Sequence, residues 1–429
     1  MTISSGPNPS LTTPPKNSVS LRFQLDRRSL IKSLLCATSA AALSTWIPLA
    51  FAEDESMHVP LPAWTEGQFD IHHIDTGRGN CTLLIFPDGT TMMIDAGSAP
   101  VGPAGTMTPA HPNDSRRPGE WQARYALAHT PNRTLDYFLA THLHPDHISG
   151  LADVAAQLSI DTCIDRAFPN YAAAQQPADA PFANDYVSFL HNRMRQAKRV
   201  EAAQVGSATQ IRLQHQPTRY NTFQARILSA NGNVWNPKTR TVVAQLTDLP
   251  TPRTLQGNEN LLSIALRFEY GRFSYFTGGD LDCDTYDGCF PELDIETPVV
   301  RAAGRTEVAV ADHHGYFDAC GPAFTNTLDA QVYIIPAWDI GHPGSAQMQR
   351  MLGAWDANGS KATHDVFTTD LLPENALLNR RFAPQLKSQQ GHVVVRVAPG
   401  GDSYKIFTLD STVENGTITG NFGPYRSRA

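Results

Sequence analysis

The stretch Thr141-His142-Leu143-His144-Pro145-Asp146-His147 places three histidines and an aspartate within six consecutive residues. It follows residues 135–140, a short apolar run that is typical of a buried strand. Imidazole and carboxylate groups together are ligands that suit zinc and similar transition metals. In an extended segment, residues two apart point the same way, so His142 and His144 can share one metal ion. The turn after Pro145 then directs Asp146 and His147 towards a second position.

Upstream of this cluster, the pattern predicts a strand meander followed by a long loop. Residues 68–75, 81–86 and 91–95 carry the alternation and the turn residues of paired strands. Residues 97–120 are rich in Gly, Pro, Ser and Asn, which predicts a surface loop, and long loops beside a site are often functional. Helical composition follows in residues 120–129 and, after the cluster, in residues 151–158.

Downstream, residues 169–257 are less regular, and we interpret them as an elaboration of one domain. They contain a predicted helix over 184–200 and predicted strands near 209–213 and 223–229. Clear strand patterns return after this segment and alternate with helices in both halves of the chain. This alternation predicts two mixed sheets that pack together with helices outside. The later predicted strands are 261–269, 273–277, 308–311, 331–336, 365–369, 392–397 and 404–409.

The first 52 residues differ from the rest of the chain and predict a signal for Tat-type export. Arg27-Arg28 precedes a moderately apolar run over 33–51, which ends in the small-x-small sequence Leu49-Ala50-Phe51-Ala52. Cleavage after Ala52 would leave a periplasmic protein. A membrane anchor is the alternative, but Ser, Thr and Pro interrupt the run. No later segment is long and apolar enough to predict a membrane span after signal cleavage.

The bulk composition predicts a globular protein with a substantial core. The chain has 429 residues, of which 41% are hydrophobic and 17% charged. Beyond residue 52 it carries 29 basic and 40 acidic side chains, a formal charge of −11. We therefore expect no strong, charge-driven binding to nucleic acid or anionic lipid.

Five cysteines remain beyond residue 52, and Cys283 and Cys289 are the predicted disulfide in an oxidising compartment. The sequence makes no prediction about oligomeric state.

Taken in order, these motifs resemble those of the metallo-β-lactamase superfamily, and within it the ComEC-type metallo-β-lactamase-like domains. The signature of the superfamily, His-x-His-x-Asp-His after a strand, matches residues 142–147. The opening of these domains resembles residues 74–80 and 94–97, although Asn80 replaces the usual Asp. The later motifs are Asn260 with Ser263, then Thr277-Gly278-Gly279-Asp280 with one additional Gly, then His313-His314-Gly315.

The resemblance implies an α+β fold, a four-layer αββα sandwich of two mixed sheets flanked by helices. It would span residues 53–429, with insertions near 97–130 and 169–257. Asp280 would bridge two metal ions, and one of His313 and His314 would complete the second site with Asp146 and His147. The other histidine of that pair would support the ligand. The implied cofactor is one or two zinc ions, with manganese or iron as alternatives.

Four further side chains bear on the predicted site. Many superfamily members have another histidine ligand before the bridging Asp, but here only His191 and His215 fall in that interval. We interpret both as surface residues. His342, in Gly341-His342-Pro343, is either a residue that orients substrate or an ordinary loop histidine. Asp95 is interpreted as a buried carboxylate that supports the ligand loop.

The predicted chemistry is hydrolysis of a small-molecule or ester substrate by a metal-bound hydroxide. Asp146 would help to orient the attacking water. The resemblance favours a phosphodiester, and Arg78, Arg116 and Arg117 are candidate phosphate contacts. Two alternatives stand beside this interpretation: hydrolysis of a β-lactam or lactone, and a non-catalytic, metal-stabilised periplasmic binding module.

Overall fold

Short apolar strands separated by turn residues build two sheets that pack face to face. The computed structural model describes residues 57–171, 181–195, 198–246, 258–283, 289–353 and 364–428, all within the compact unit Glu53–Ala429. The predicted export signal, residues 1–52, lies outside the described residues. Within the described residues, no helix has the length and apolarity that crossing a bilayer requires.

The first sheet has nine strands in the order β17-β16-β15-β1-β2-β3-β4-β5-β6. The predicted meander forms its centre, where β1 to β3 pair antiparallel, and β3 to β6 continue as parallel neighbours. The strands are β1 (Phe69–His73), β2 (Thr82–Ile85), β3 (Thr91–Ile94), β4 (Thr134–Leu139), β5 (Ser159–Asp165), β6 (Arg199–Ala202), β15 (His392–Val397), β16 (Ser403–Leu409) and β17 (Ile418–Arg426).

The second sheet has eight strands in the order β14-β13-β12-β11-β10-β7-β8-β9. Its β11 to β14 are parallel neighbours, whereas β7 to β11 pair antiparallel. The strands are β7 (Phe223–Ala230), β8 (Asn233–Asn236), β9 (Thr241–Ala244), β10 (Ala265–Tyr270), β11 (Phe273–Thr277), β12 (Val308–Val310), β13 (Val332–Ile335) and β14 (Asp365–Thr368).

Helices cover the outer face of each sheet. One apolar cluster lies between the sheets, a second joins the first sheet to its helices, and a third does so for the second sheet. This layering confirms the predicted αββα sandwich. The helices are α1 (Pro118–His129), α2 (Pro145–Ile148), α3 (Leu151–Gln157), α4 (Pro181–Arg195), α5 (Glu296–Ala303), α6 (Pro322–Leu328), α7 (Ser345–Met351) and α8 (Pro373–Leu378).

Three local predictions are wrong. The helix predicted over 184–200 ends at Arg195, because the chain then enters β6. Residues 209–213 form no strand; Ile211 and Leu213 are buried between the sheets as part of an irregular segment. Cys283 and Cys289 are both free thiols: the first lies against the carbonyl of Asp318, and the second is exposed to solvent.

Candidate metal centre

The topology gathers the predicted site at one edge where both sheets end. In the first sheet, β3, β4 and β5 are parallel, so the segments that follow them emerge on the same side. In the second sheet the same holds for the segments after β11, β12 and β13. The chain links the two edges directly, since Ile264 donates its N–H to the carbonyl of Thr141 at 2.9 Å. Loops at carboxyl ends of parallel strands are common places for sites.

Four side chains converge there and form what we call the four-donor group: Asp146, His147, Asp280 and His314. Nε2 of His147 lies 3.1 Å from Oδ2 of Asp280 and 3.4 Å from Oδ2 of Asp146. Nε2 of His314 lies 3.2 Å from the same Asp146 atom and 3.6 Å from the same Asp280 atom. The ligand atoms all lie within 4.8 Å of one another, so a single cation can contact all four.

His142, His144 and Asp280 form a second cluster, the three-donor group. Nε2 of His142 lies 3.0 Å from Nδ1 of His144 and 3.6 Å from Oδ2 of Asp280. Asp280 is therefore common to both groups, and its other oxygen, Oδ1, is buried without a hydrogen-bond partner. A carboxylate that faces two ligand clusters and keeps a free oxygen fits a metal bridge. The donor types present also fit zinc, manganese or iron.

Hydrogen bonds behind the ligands fix which ring nitrogen faces the centre. Asp95 contacts Nδ1 of His147 at 2.8 Å and accepts the N–H of Thr141 at 2.7 Å. The carbonyl of Pro336 contacts Nδ1 of His314 at 2.8 Å. Each contact leaves Nε2 for the donor group, which is the usual arrangement of a metal-ligating histidine. Asp95 thus supports the ligand loop and lies outside both donor groups.

The additional glycine of Thr277-Gly278-Gly279-Asp280 permits a close approach. Gly279 has a φ of +62°, and a Cβ atom there would lie 2.9 Å from Cβ of Thr141 and 3.1 Å from Cβ of Ser263. Its carbonyl accepts the N–H of His313 at 3.0 Å. A larger residue would push Asp280 away from the ligand loop.

The centre holds its carboxylates ionised. Burial alone would raise the pKa of Asp280, but His147 and His314 hold that pKa well below the ordinary range. Burial would likewise lower the pKa of His147, yet Asp280 and Asp146 raise it well above its usual value. Burial lowers the pKa of His142 and of His144. The positive charge of protonated His147 offsets the negative charge of the carboxylates. A bound divalent cation would provide that positive charge instead.

The backbone directs the side chains of His313 and His314, the predicted pair, to different partners. Both residues have left-handed φ values, +45° and +54°, and such conformations are strained in non-glycine residues. The ring centroids are 6.2 Å apart, and Nε2 of His313 lies 3.9 Å from Oδ2 of Asp280, slightly further than Nε2 of His314 at 3.6 Å. His314 enters the four-donor group, whereas His313 lies outside both groups and contacts Asp318 through Nδ1 at 2.8 Å.

His342 lies beside the centre in an aromatic wall. Its ring stacks on that of His314 with 4.8 Å between centroids and 24° between planes. The ring of Trp338 packs edge-on against it at 5.0 Å. Nδ1 of His342 is buried, and within the described residues it has no hydrogen-bond partner. Trp338 is a wall residue that sequence reasoning missed.

A buried ion pair behind the three-donor group was also missed. Glu259 accepts the N–H of Leu143 through Oε1 at 3.0 Å. Arg166 donates two hydrogen bonds to the same carboxylate, from Nε at 2.5 Å and from Nη2 at 2.8 Å. Both residues are almost wholly buried: Arg166 is 1% exposed and Glu259 is 2% exposed. The sequence analysis predicted no strand over 159–165, so nothing marked Arg166, which directly follows β5, as a residue of the edge that carries the site.

The remaining predicted residues lie outside the donor groups. His191 is exposed and contacts the ring of Phe168, and His215 is exposed beside Asp136. Arg117 pairs with Asp153 on the surface.

Two other arginines were candidate phosphate contacts. Arg116 lies over the ring of Trp121. Nε of Arg78 is buried without a partner. Arg78 is two residues from Asn80, whose N–H bonds the carbonyl of Asp146.

The long loop predicted over 97–120 forms part of the wall of the centre. The N–H of Thr108 bonds the carbonyl of Trp338 at 3.0 Å, and the N–H of Ile340 bonds the carbonyl of Thr106 at 2.9 Å. Its further end is held where Nε2 of His111 contacts Oδ2 of Asp370 at 2.9 Å. The loop therefore fixes the segment that carries Trp338 and His342.

Comparison with known proteins assigns a class to this fold and site. The sequence profile of the metallo-beta-lactamase superfamily matches residues 74–175, the part of the chain that contains the ligand loop. The match is confined to that segment; the two-sheet topology and the converging donor residues agree with the metal-dependent hydrolases of the metallo-β-lactamase fold. No curated protein sequence matches the chain.

Several solved structures are distantly similar. A putative metal-dependent hydrolase from Parabacteroides distasonis is 12% identical with a TM-score of 0.34, over 70% of this chain and 92% of its own. A putative zinc-dependent hydrolase from Thermotoga maritima is 11% identical with a TM-score of 0.28, over 70% and 98%. A CmlA β-hydroxylase mutant is 12% identical with a TM-score of 0.34; 79% of this chain spans 54% of that longer one.

Proposed function

We propose that this chain is an exported, metal-dependent hydrolase that cleaves a phosphodiester in a small molecule. The observation that carries the proposal is the position of Asp280 Oδ2 in both donor groups. One carboxylate shared by two clusters is the arrangement of a two-metal site, and two-metal sites are typical of enzymes that displace a leaving group at phosphorus.

The proposed ligands are His142, His144 and Asp280 for one ion, and Asp146, His147, Asp280 and His314 for the other. Zinc is the proposed metal, since imidazole and carboxylate together suit it best. A divalent ion bound here would lower the pKa of a coordinated water to about 7 and polarise the bond under attack.

Individual side chains of the site have separate proposed roles. Asp146 is held ionised, because His147 and His314 offset the effect of burial on its pKa, so it can accept a hydrogen bond from the attacking water. Nδ1 of His342 faces no protein partner and is proposed to orient the substrate. The ring of Trp338 excludes water on the same side. Nε of Arg78 is proposed to contact the phosphate.

Two features of the sequence support the finer parts of the proposal. The order of the motifs resembles that of ComEC-type domains, which favours a phosphodiester over a lactam or lactone. The twin arginine and the small-x-small sequence before residue 53 support Tat-type export and a periplasmic location.

A substrate screen on metal-quantified protein tests the proposal. We expect bis-p-nitrophenyl phosphate to be hydrolysed, and nitrocefin and acyl-lactones to be left intact. The double variant His144→Ala, His147→Ala should lose both the central metal and all turnover. Retained turnover in a metal-free preparation, or preferential hydrolysis of nitrocefin or a lactone, would overturn the proposal. A full metal complement without hydrolysis of any ester would indicate a binding module.

A further inference from the structure

Beside the four-donor group lies a third convergence of ligand atoms, formed by Asp282, His313 and Asp318. Nδ1 of His313 lies 2.8 Å from Oδ1 of Asp318 and 3.4 Å from Oδ1 of Asp282. The three ligand atoms all lie within 4.8 Å of one another. We call these residues the accessory cluster. It uses Nδ1 of His313, whereas Nε2 of the same ring lies 3.9 Å from Oδ2 of Asp280.

Asp282 supplies an independent sign that this cluster takes a ligand. Its side chain is fully buried. Oδ2 accepts the side-chain N–H of Asn258 at 2.9 Å, but Oδ1 has no hydrogen-bond partner. The single proton on Nδ1 of His313 is directed to Asp318 and cannot serve both carboxylates. A buried carboxylate oxygen without a partner is costly, and an ion is one of the few groups that can satisfy it.

The surroundings of His313 also permit it to act as a ligand through Nδ1. Nδ2 of Asn260 lies 3.3 Å from Nε2 of His313, while Oδ1 of Asn260 is buried without a partner. Rotation of that amide by a half turn would let Oδ1 accept a proton on Nε2. The lone pair of Nδ1 would then face the two carboxylates. The side chains of His313 and Asp318 are 18% and 15% exposed, so an ion can enter from solvent.

We propose that Asp282, His313 and Asp318 form an accessory divalent-cation site, distinct from the centre that Asp280 bridges. Two carboxylate oxygens and one imidazole nitrogen suit Zn²⁺ or Mn²⁺, with water completing the coordination. A divalent cation there would neutralise the two negative charges that the ionised carboxylates carry beside a neutral His313. It would also hold the strained 313–314 turn, from which His314 reaches the four-donor group.

Metal titration of the purified protein tests this site. The protein is equilibrated with ZnCl₂, and in parallel with MnCl₂, and bound metal is counted after removal of excess ion. We expect wild type to bind one ion more than the central pair. Asp318→Asn should lose that ion or bind it about 10–100-fold more weakly. Asp161→Asn, which alters a carboxylate paired with Lys198 on the surface of β5, is the matched control and should bind as wild type does.

The outcomes separate this site from the central one. In the double variant His144→Ala, His147→Ala, the accessory ion should remain after the central metal is lost. Asp282→Asn should reproduce the loss seen with Asp318→Asn, and thermal unfolding monitors the folding of each variant. A wild-type protein that never exceeds two ions at saturation would overturn the proposal. So would an Asp318→Asn variant that is folded and keeps the full complement.

Discussion

Glu259 and Arg166 are 93 residues apart in the chain, yet their buried ion pair holds the backbone of the ligand loop. The N–H of Leu143, between His142 and His144, bonds the same carboxylate that Arg166 grips. At the scale of single residues, the ligands are therefore oriented by groups that do not touch the centre. The same holds for Asp95 behind His147. Such supporting contacts commonly change metal affinity when they are removed.

The Glu259→Gln variant should weaken metal binding at the three-donor group by about 10–100-fold. The amide keeps the size of the side chain but removes the charge that Arg166 pairs with, so the loop between His142 and His144 loses a rigid support. The four-donor group should keep its metal. Competition with a chelator measures both affinities, and an unchanged affinity at the three-donor group would show that the ion pair has no part in positioning it.

Asp75, whose Oδ2 lies 4.0 Å from Nε2 of His111 in the loop, should make the stability of the fold depend on pH. Burial raises the pKa of Asp75 to about 7 from an ordinary value of 3.8; the charge of Asp370 adds to the rise and His111 opposes it. Between these two values the folded chain keeps a proton that the unfolded chain has lost. The stabilisation is thus present below about pH 4 and is lost as the pH rises through about 7.

The Asp75→Asn variant should not show this loss of stability with rising pH. The amide oxygen can still accept the N–H of Gly77 at the Oδ1 position, and the amide NH2 at the Oδ2 position can donate to the hydroxyl oxygen of Ser411, so both local contacts can be kept. Urea unfolding of both proteins at about pH 5 and about pH 8 measures the difference, and effects common to both proteins cancel. We expect the variant to gain free energy of unfolding relative to wild type at the higher pH. Parallel behaviour of the two proteins would refute the assignment.

At the scale of elements, local sequence predicted what depends on neighbours in the chain. The ligand loop was predictable because its spacing after β4 is local, and the meander of β1 to β3 because its alternation and turns are local. The strand expected at 209–213 did not form, because the apolar side chains of Ile211 and Leu213 fill space between the sheets without a paired backbone. The end of α4 was set by the pairing of β6 with β5. Contacts between distant segments, such as Glu259 with Arg166, leave no local pattern.

The loop over residues 97–117 is predicted to act as one element with the segment that carries Trp338. A Cβ atom at Gly77 would lie 1.8 Å from the carbonyl oxygen of Pro109, so Gly77→Ala should displace the loop. We expect the free energy of unfolding to fall by about 3–5 kcal/mol, from backbone strain and overpacking together. Turnover should fall as well, since Trp338 and His342 would lose their support.

Gly105→Ala is a matched control for this effect. Gly105 lies within the loop itself and has the same φ of +80° as Gly77, but among the described residues no atom lies within 4 Å of its Cβ position. Gly105→Ala should lower the free energy of unfolding only by the strain of a left-handed backbone, about 1–2 kcal/mol. Denaturation and assays of both variants give the comparison. Equal effects would indicate that the contact between Gly77 and Pro109 is unimportant.

At the scale of the whole molecule, charge restricts the substrate. The chain beyond residue 52 carries a formal charge of −11, and two of the three candidate arginines, Arg116 and Arg117, are engaged elsewhere on the surface. A small diester avoids the repulsion that a long polyanion would meet.

We therefore expect a labelled DNA oligonucleotide to bind more weakly than the about 10⁻⁴–10⁻⁶ M typical of non-specific binding. Hydrolysis of bis-p-nitrophenyl phosphate should change little as salt is raised. Fluorescence anisotropy and salt-dependent rates check the two statements. Tight, salt-sensitive DNA binding would point to a basic surface formed in some other way.

The central claim is that Asp280 is shared by two clusters of ligands from distant parts of the chain. Metal quantification across three purified variants tests it most directly. Relative to wild type, His314→Ala should lose one ion and His144→Ala one ion, whereas Asp280→Asn should lose two, together with turnover of the phosphodiester. An Asp280→Asn protein that is folded and retains the wild-type metal content and turnover would contradict the account.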